Sequence, residues 1–268
     1  MSKLSVLMTV YNESQFVEYA IKACLPYVDH LVIVEGAYQE TISLGASPRS
    51  TDGTIEKIDR LMLDYILPPD TEGPIASNID FIQANEKTDK DQRNIGLQKI
   101  KELNPDGWCL IIDGDEIYEP DTFKMVRISM SNMEKTNKYA AYFKSLTFVN
   151  DMNHYTEQEF PRLFKITPEA KFVNDNFMSW DKIGWAPPWV IKIPYITYFH
   201  YSFCKGNARF ELKKKWWETR FGREFDYGWK VNDQGKIEDE GHDIYEFTAQ
   251  HPKIMEDHPL KEPKKKDV

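Results

Sequence analysis

The first 115 residues of this 268-residue chain alternate between short apolar runs and stretches with a helical pattern. The apolar runs cover 4–10, 30–35, 78–82 and 108–112, and their length and β-prone composition are typical of buried strands. A chain that repeats strand and helix in this way builds a parallel sheet through right-handed crossovers, with helices on its faces. The sequence therefore predicts an α/β fold with a Rossmann-like, mostly parallel central sheet flanked by helices.

The regular alternation stops after residue 120, and the pattern becomes mixed. Pro120 opens a helical pattern, and further β-prone runs follow at 139–149, 162–166 and 196–203, separated by irregular segments rich in aromatic residues. This order is typical of a mixed α+β region rather than of a second set of parallel crossovers. We expect the residues after 120 to complete the fold that the parallel strands begin.

A chain of 268 residues with 41% hydrophobic content can bury one large core. We therefore expect two halves of one domain, 1–120 and 121–255. Residues 256–268 show no apolar periodicity and are predicted to be a disordered tail. The basic run Lys213–Lys215 is predicted to lie on the solvated face of a helix that begins near Asn207, and the alternative is a patch that binds phosphate or lipid.

Charge, cysteine content and hydropathy disfavour several kinds of partner and location. The formal net charge of −9 and the pI near 5.3 disfavour nucleic acid, whose phosphates need a positive surface. The cysteines Cys24, Cys109 and Cys204 are far apart and odd in number, which favours a reduced, cytoplasmic protein. No apolar stretch reaches the roughly 20 residues that a membrane-spanning helix needs, and no signal peptide is expected. The oligomeric state cannot be predicted from this sequence.

An acidic motif, Asp113-Gly114-Asp115-Glu116, follows the apolar run at 108–112. Open α/β sheets bind ligands at the carboxyl ends of their strands, and close carboxylates there suit a hard divalent cation that carries phosphate. The alternative is a turn in which the aspartates cap the next helix. An EF-hand is excluded, because its third ligand position would fall on Ile117.

Other polar residues follow the earlier strands, and in a parallel sheet these ends converge on the same crevice. Glu35 is placed to accept hydrogen bonds from a base or ribose, with a solvated acid as the alternative. The backbone amides after Val10 could hold a nucleotide, and Arg93 suits a diphosphate, with a surface salt bridge as the alternative. The full set that we expect at the crevice is Thr9, Val10, Tyr11, Asn12, Glu13, Glu35, Asp52, Arg93, Asp113, Gly114 and Asp115.

Three residues of the second half are further candidates. His200 lies in a β-prone run, where it is either a hydrogen-bonded core residue or a third metal ligand beside the carboxylates. Asp175 and Asp181 have aromatic neighbours whose burial could raise a carboxylate pKa, which suits a general base. The alternative for both aspartates is an ordinary polar loop.

Together these motifs resemble the family 2 glycosyltransferases of the GT-A fold. The resemblance covers residues 4–120 and rests on 7–13, 32–35, 50–54, 92–94 and 113–116. Within that family the chain looks most like the branch of lipopolysaccharide-core glucosyl- and heptosyltransferases, on Gln92-Arg93-Asn94, on Glu116 and on Arg162-Leu163-Phe164.

The resemblance implies a metal-dependent transfer of a sugar from a nucleotide-sugar donor, UDP-sugar first and GDP-sugar second, to the hydroxyl of a glycan, lipid-linked or small-molecule acceptor. It places Asp113 near the ribose, Asp115 on Mn²⁺ or Mg²⁺, and Asp113 and His200 beside that ion. In inverting members a carboxylate of the second half deprotonates the acceptor, for which Asp181 is the first choice and Asp175 the second. The donor contacts implied are Thr9, Val10, Tyr11, Glu13, Glu35, Arg93, Asp113 and Gly114.

Three departures from the family pattern are visible in this chain. Glu35 stands where the second strand of the family usually ends in aspartate. An insertion at 37–49 separates that strand from the polar segment 50–54. The Glu-Asp pair that usually marks the base, and the later Gln/Arg-Arg-Trp type motif, have no clear match, so the base and inversion itself stay open.

Two other classes remain as alternatives. A haloacid-dehalogenase-like phosphatase also carries two spaced aspartates after a strand, although normally after the first strand and with a threonine soon afterwards. A non-catalytic carbohydrate-binding protein would explain the tryptophans of the second half, because aromatic faces stack on sugars, and it would need no metal.

Overall fold

The computed structural model describes residues 2–66, 78–180, 189–204, 207–222, 224, 229–231, 237–239 and 243–261. Strands and helices alternate through its N-terminal half, as predicted. The elements are β1 Leu4–Val10, α1 Val17–Cys24, β2 His30–Glu35, α2 Gln39–Ile42, α3 Thr54–Ile66, β3 Ile79–Gln83, α4 Asp89–Leu103 and β4 Trp108–Ile111. The short helix α2 lies inside the insertion at 37–49.

Strands dominate the second half. The elements are β5 Glu116–Ile117, α5 Pro120–Lys135, β6 Ala140–Val149, β7 His154–Lys165, β8 Lys171–Phe172, β9 Met178–Ser179, β10 Val190–Phe203, α6 Asn207–Phe221, β11 Trp229–Val231, β12 Ile237–Asp239 and β13 Tyr245–Glu246. Short 3₁₀ turns occur at Leu25–Tyr27, Lys253–Met255 and Pro259–Lys261. The helices predicted from Pro120 and from Asn207 are both present, and the three predicted strands overlap β6, β7 and β10.

Nine of the described strands form one sheet in the order β3-β2-β1-β4-β7-β6-β10-β5, with β13 added beside β7. The pairs among β3, β2, β1 and β4 are all parallel, with Val10 opposite Glu35 and Leu4 opposite Trp108. Beyond β4 the pairing is mixed, because β7 runs antiparallel to both β4 and β6 whereas β6 and β10 are parallel. The predicted α/β class, with a parallel first half and a mixed second half, is confirmed.

Side chains of β1 alternate between two layers of core. Met8 packs in the larger cluster with residues of α1, α3 and α5, whereas Leu7 packs in the smaller cluster with Leu97 of α4. Helix α4 lies very close to the sheet at Gly96, where a Cβ atom would be 2.2 Å from Leu7 Cδ1. Glycine at this position therefore sets the distance between α4 and β1, and α4 carries residues of the site described below.

Helix α4 begins after Thr88, which is its N-cap and whose hydroxyl accepts a hydrogen bond from the Asp91 amide. Asp89 is the first helical residue. The buried face of α4 passes through Gly96 and Leu97, which leaves Ile95 36% exposed.

The expected tail at 256–268 is wrong for its first part. His258 packs on the structure: it is 2% exposed, its ring stacks on Phe16 at 4.6 Å, and its Nε2 donates to the Gln15 carbonyl at 2.9 Å, while Pro259–Lys261 form a 3₁₀ turn. Residues 262–268 lie outside the described part of the chain. None of the described helices is long and apolar enough to cross a membrane.

Candidate functional site

A cavity of about 590 Å³ opens at the carboxyl ends of β1 and β4. The order of strands reverses at this point, because β2 lies on one side of β1 and β4 on the other. Such switch points are where open α/β sheets bind ligands. Most of the predicted site residues line this one cavity, namely Thr9, Val10, Tyr11, Asn12, Glu13, Asp52, Arg93, Asp113, Asp115 and His200.

The loop after β1 forms one wall, but its amides are already used. Asn12 is in the left-handed region at φ 53°, and its N–H donates to Ser50 Oγ at 2.8 Å. The Glu13 N–H donates to Thr54 Oγ1 at 2.7 Å, and the Ser14 N–H donates to Asp52 at 3.0 Å. These bonds fasten the loop to residues 50–54. The expectation that the amides after Val10 hold a nucleotide is therefore not supported for residues 12–14.

Asp113 is held by two buried arginines. Arg93 Nη2 donates to Oδ1 at 3.1 Å and Arg162 Nη2 donates to Oδ2 at 3.2 Å, while the Thr9 hydroxyl lies 3.4 Å from Oδ1. Burial alone would raise the pKa of Asp113, but Arg93 and Arg162 outweigh it, so the pKa lies below its ordinary value. The helix-cap interpretation of Asp113 is not supported, because these side chains rather than the amides of α5 are its partners.

Glu116, the last residue of the acidic motif, is fully buried, with 0% of its surface exposed. Arg162 donates a hydrogen bond to its Oε1, and the Asp113 amide donates to its Oε2 at 3.2 Å. Burial raises the pKa of Glu116 to about 8, against the opposing effect of Arg162. Arg162 also donates to Tyr198 Oη at 3.1 Å, so one buried guanidinium connects β7 with β10 and the acidic motif.

Asp115 and His200 face each other in the cavity, with 3.5 Å between Oδ1 and Nε2. Their approach follows from the antiparallel pairing of β5 with β10, which places His200 opposite Glu116. Burial lowers the pKa of His200 below its ordinary value although Asp115 acts in the opposite direction, which favours a neutral imidazole. Its Nδ1 is buried and has no hydrogen-bond partner among the described residues.

The donor atoms of Asp115 and His200 suit a divalent cation. A carboxylate and a neutral imidazole are both ligands for Mn²⁺, and Mg²⁺ is commonly held by one or two carboxylates together with substrate phosphates. In the described part of the chain, no group of three or more His, Cys, Asp or Glu side chains is arranged to hold a metal on its own. A cation here would therefore share its coordination with oxygens of a bound ligand.

Two predicted binding residues lie elsewhere. Glu35 is 0% exposed and does not line the cavity, because its Oε1 accepts the Ser50 amide at 2.8 Å and Arg49 Nε lies 3.9 Å from its Oε2. The carboxylate fastens the insertion to the end of β2, and this arrangement does not support the predicted contact with a base or ribose. Gly114 also does not line the cavity, and a Cβ there would be 2.9 Å from side-chain atoms of Glu13 and Val10.

The structure describes only one of the two residues that were predicted as the general base. Asp175 does not line the cavity, since both of its oxygens bind Arg220 of α6, at 3.0 Å from Nη2 and 2.8 Å from Nη1. A carboxylate paired in this way outside the cavity does not suit the predicted role of general base. Asp181 lies outside the described residues.

Sequence reasoning missed the wall formed by α6. Lys213 lines the cavity and donates to Ser202 Oγ at 2.6 Å, so the expectation of a solvated basic run is wrong for this lysine. Trp216 lines it as well, and its Nε1 donates to Glu40 Oε2 at 3.0 Å. No signal in the sequence pairs α6 with α2, because their contact depends on how distant segments pack.

Asp89 and Tyr38 were also missed as cavity residues. The Tyr38 hydroxyl donates to Asp89 Oδ1 at 3.1 Å, and Arg93 Nε donates to the same oxygen at 2.9 Å. Here a signal existed, since Asp89 precedes Arg93 by four residues and side chains at that spacing lie on the same face of a helix. Burial raises the pKa of Asp89, although Arg93 opposes this effect.

No family model matches this chain, and no curated protein matches it. Solved structures of S. aureus TarS are similar to it in part. TarS 1-349 shares 16% identity over 54% of this chain and 36% of that chain, with a TM-score of 0.37. Its complex with UDP shares 14% identity over 55% and 36% of the two chains (TM-score 0.37), and its complex with UDP-GlcNAc shares 15% over 55% and 35% (TM-score 0.36). The match thus takes in about a third of the TarS 1-349 chain.

Proposed function

We propose that the protein is a glycosyltransferase of the GT-A type, which moves a sugar from a nucleotide-sugar donor to an acceptor hydroxyl. One observation carries this proposal: Thr9, Arg93, Asp113, Asp115 and His200, from separate segments, line one cavity at the switch point of the sheet. The motif order that resembles family 2 glycosyltransferases supports it. A UDP-sugar is our first choice of donor and a GDP-sugar the second.

The residues of the cavity have different proposed roles, which follow from their chemistry. Asp113, kept ionised by Arg93 and Arg162, offers acceptor oxygens for hydroxyls of the ribose. Asp115 and His200 would hold Mn²⁺ or Mg²⁺, which neutralises charge on the departing diphosphate when it is bound. Lys213, opposite on α6, adds a positive charge that favours the same phosphates.

In the proposed transfer, the acceptor oxygen forms a bond to the anomeric carbon while the bond from that carbon to the diphosphate breaks. The nucleoside diphosphate leaves with the electron pair, and a base takes the proton of the acceptor hydroxyl. We keep Asp181 as the proposed base of an inverting reaction. An Asp181→Asn variant should lose turnover by about 100-fold or more while it binds the donor normally.

The test of the donor class is a thermal-shift screen of UDP-, GDP-, CMP- and dTDP-sugars, each with and without Mn²⁺. A ligand at 100 times its Kd stabilises the native state by about 2.7 kcal/mol, so a bound donor raises the unfolding temperature measurably. We expect a metal-dependent shift with one nucleotide, and its loss in Asp115→Asn. Asp121→Asn is the matched control, because its side chain is 85% exposed on α5.

Each competing class has its own test beside this screen, a phosphatase assay for one and a glycan-binding assay for the other. Metal-dependent turnover of generic phosphomonoesters would favour a phosphatase and contradict our proposal. Glycan binding that survives in Asp115→Asn, together with no shift for any nucleotide sugar, would favour a non-catalytic carbohydrate-binding protein. The acidic motif follows β4 rather than β1, which disfavours the phosphatase arrangement.

A further inference from the structure

We infer that Asp89, and not Glu35, selects the nucleobase of the donor, by accepting a hydrogen bond from a ring N–H of the type that uracil and guanine carry. This inference rests on the proposed function and names a specificity-determining residue of the same site. Its basis is the position of the two carboxylates relative to the cavity.

Glu35 is removed from the cavity by the insertion at 37–49. Its Oε1 accepts the Ser50 amide, and its side chain is 0% exposed behind Arg49. The same arginine donates to the Ala84 carbonyl at 3.1 Å and to Asn85 Oδ1 at 2.7 Å, which fixes it over the carboxylate. A base in the cavity therefore has no path to Glu35 unless this segment rearranges.

Asp89 has the opposite arrangement. Its side chain is 11% exposed, and the residue lines the cavity. Oδ1 is used twice, by the Tyr38 hydroxyl and by Arg93 Nε, whereas no described residue donates to Oδ2. The carboxylate is thus held in position through one oxygen and keeps the other as an acceptor for a ligand.

The surroundings of Asp89 suit a flat ring. Tyr38, whose hydroxyl binds Asp89, has its ring centroid 6.3 Å from that of Trp216, and both residues line the cavity. The guanidinium of Arg220 lies 5.2 Å from the Trp216 centroid, so this indole is held by a cation–π contact as well as by its bond to Glu40. Base–aromatic stacking contributes about 1–3 kcal/mol and tolerates any base, which leaves selection to a directional hydrogen bond.

The direction of that bond decides which bases fit. An ionised carboxylate only accepts hydrogen bonds. Uracil and guanine present a ring N–H beside a carbonyl, whereas the corresponding ring nitrogen of cytosine and of adenine is an acceptor. Two acceptors cannot pair, so Asp89 should favour UDP or GDP over CDP and ADP.

Asp89→Asn is the sharpest variant, because it changes the chemistry of one atom. The amide oxygen can still accept from Tyr38 and Arg93, while the amide nitrogen presents a donor where Oδ2 presented an acceptor. We expect binding of the preferred nucleotide, UDP or GDP, to weaken by about 10-fold or more, the range for a hydrogen bond to a charged group. Binding of CDP should stay the same or improve.

The measurement is calorimetric titration of UDP, GDP, CDP and ADP with Mn²⁺ into the wild type, Asp89→Asn and the control Glu35→Gln. UDP and GDP distinguish the two possible bases, and Glu35→Gln should leave the UDP:CDP ratio unchanged. Equal weakening of all four nucleotides in Asp89→Asn would overturn the inference, because it would mean that Asp89 acts only through Arg93. A changed ratio in Glu35→Gln would also overturn it.

A second measurement does not depend on the folding of any variant. UDP, or GDP if that is the nucleotide bound, is methylated at its ring N–H and should bind the wild type at least 10-fold more weakly than the parent nucleotide. Equal binding of the methylated and parent nucleotides would contradict the inference and leave the proposed function intact. If the wild type bound none of the four nucleotides, the proposed function itself would fail, and this inference with it.

Discussion

Replacing Arg162 with methionine should be among the most destabilising single changes at this site. Arg162 is 2% exposed and donates hydrogen bonds to Glu116, Asp113 and Tyr198, while the rings of Phe160 and Tyr198 lie 5.2 and 5.5 Å from its guanidinium. Methionine keeps most of the apolar stem and can still contact both rings. The change therefore removes the charge and the donors with little loss of packing.

The size of the loss in stability follows from the charges that stay buried once Arg162 is removed. Removal of one partner from a buried ion pair costs about 3–5 kcal/mol, because the other charge stays buried without compensation. Burial raises the pKa of Glu116 to about 8, so at pH 7 this carboxyl is largely protonated and the charge left behind is mainly that of Asp113. We therefore expect about 3 kcal/mol at pH 7, a large share of the 5–15 kcal/mol that a typical domain has in total.

The cost should grow above pH 8, and its sign can be worked out. The folded pKa of Glu116 lies above its unfolded value, so the wild type loses stability as pH rises from about 4.5 to about 8. Without Arg162 the folded pKa rises further, and the variant continues to lose stability above pH 8 where the wild type no longer does. The difference should increase by up to about 1.4 kcal/mol per pH unit.

Urea denaturation at pH 6, 7 and 9, followed by tryptophan fluorescence and by circular dichroism, measures this difference. The double variant Arg162→Met with Glu116→Gln is the informative control, because it removes the buried charge as well as its partner and should recover part of the loss. A loss below about 1 kcal/mol for Arg162→Met, with no dependence on pH, would refute the assignment of a buried ion pair.

Other expectations concern separate parts of the molecule. Glu116→Gln alone should become more stable relative to the wild type as pH rises from 5 to 8, which unfolding temperatures across that range would reveal, and a constant difference would contradict the raised pKa. Gly96→Ala should destabilise by about 1–3 kcal/mol in urea, because its Cβ would overlap Leu7 and the helix propensity gained is only about 1 kcal/mol. Lys213→Met should weaken binding of UDP or GDP with Mn²⁺ about 10-fold, whereas the exposed Lys215→Met should not, and equal effects would show that Lys213 makes no direct contact.

The fold and half of the site could be predicted because both depend on local patterns. Apolar runs identify strands, and parallel strands bring their carboxyl ends to one edge, so Thr9 and Asp113 had to lie near each other before any coordinates were known. Arg93 could be predicted by the same reasoning, since it lies near the start of the helix that precedes β4. His200 could be named from the sequence as either a core residue or a third metal ligand, and the pairing of β5 with β10 explains its position beside the acidic motif.

The rest of the site depends on contacts between segments far apart in the chain. Trp216 and Glu40 are separated by 176 positions, and no periodicity in either segment indicates that α6 packs on α2. The position of Glu35 has a different cause. The acid does end a strand at the correct edge, but its Oε1 accepts the Ser50 amide and Arg49 of the insertion lies 3.9 Å from its Oε2, so these nearby groups enclose the carboxylate.

Glu35 and the insertion at 37–49 are separate departures from the family pattern in the sequence, but the structure links them. By covering Glu35 the insertion removes one acceptor from the cavity, and by placing Tyr38 against Asp89 it orients another. The same segment carries Glu40, which receives the Trp216 N–H and so holds α6 over the cavity. The insertion therefore determines both which carboxylate faces the cavity and which helix forms the opposite wall. Substitution of Glu35 without the insertion would disturb how the insertion is anchored rather than the choice of base.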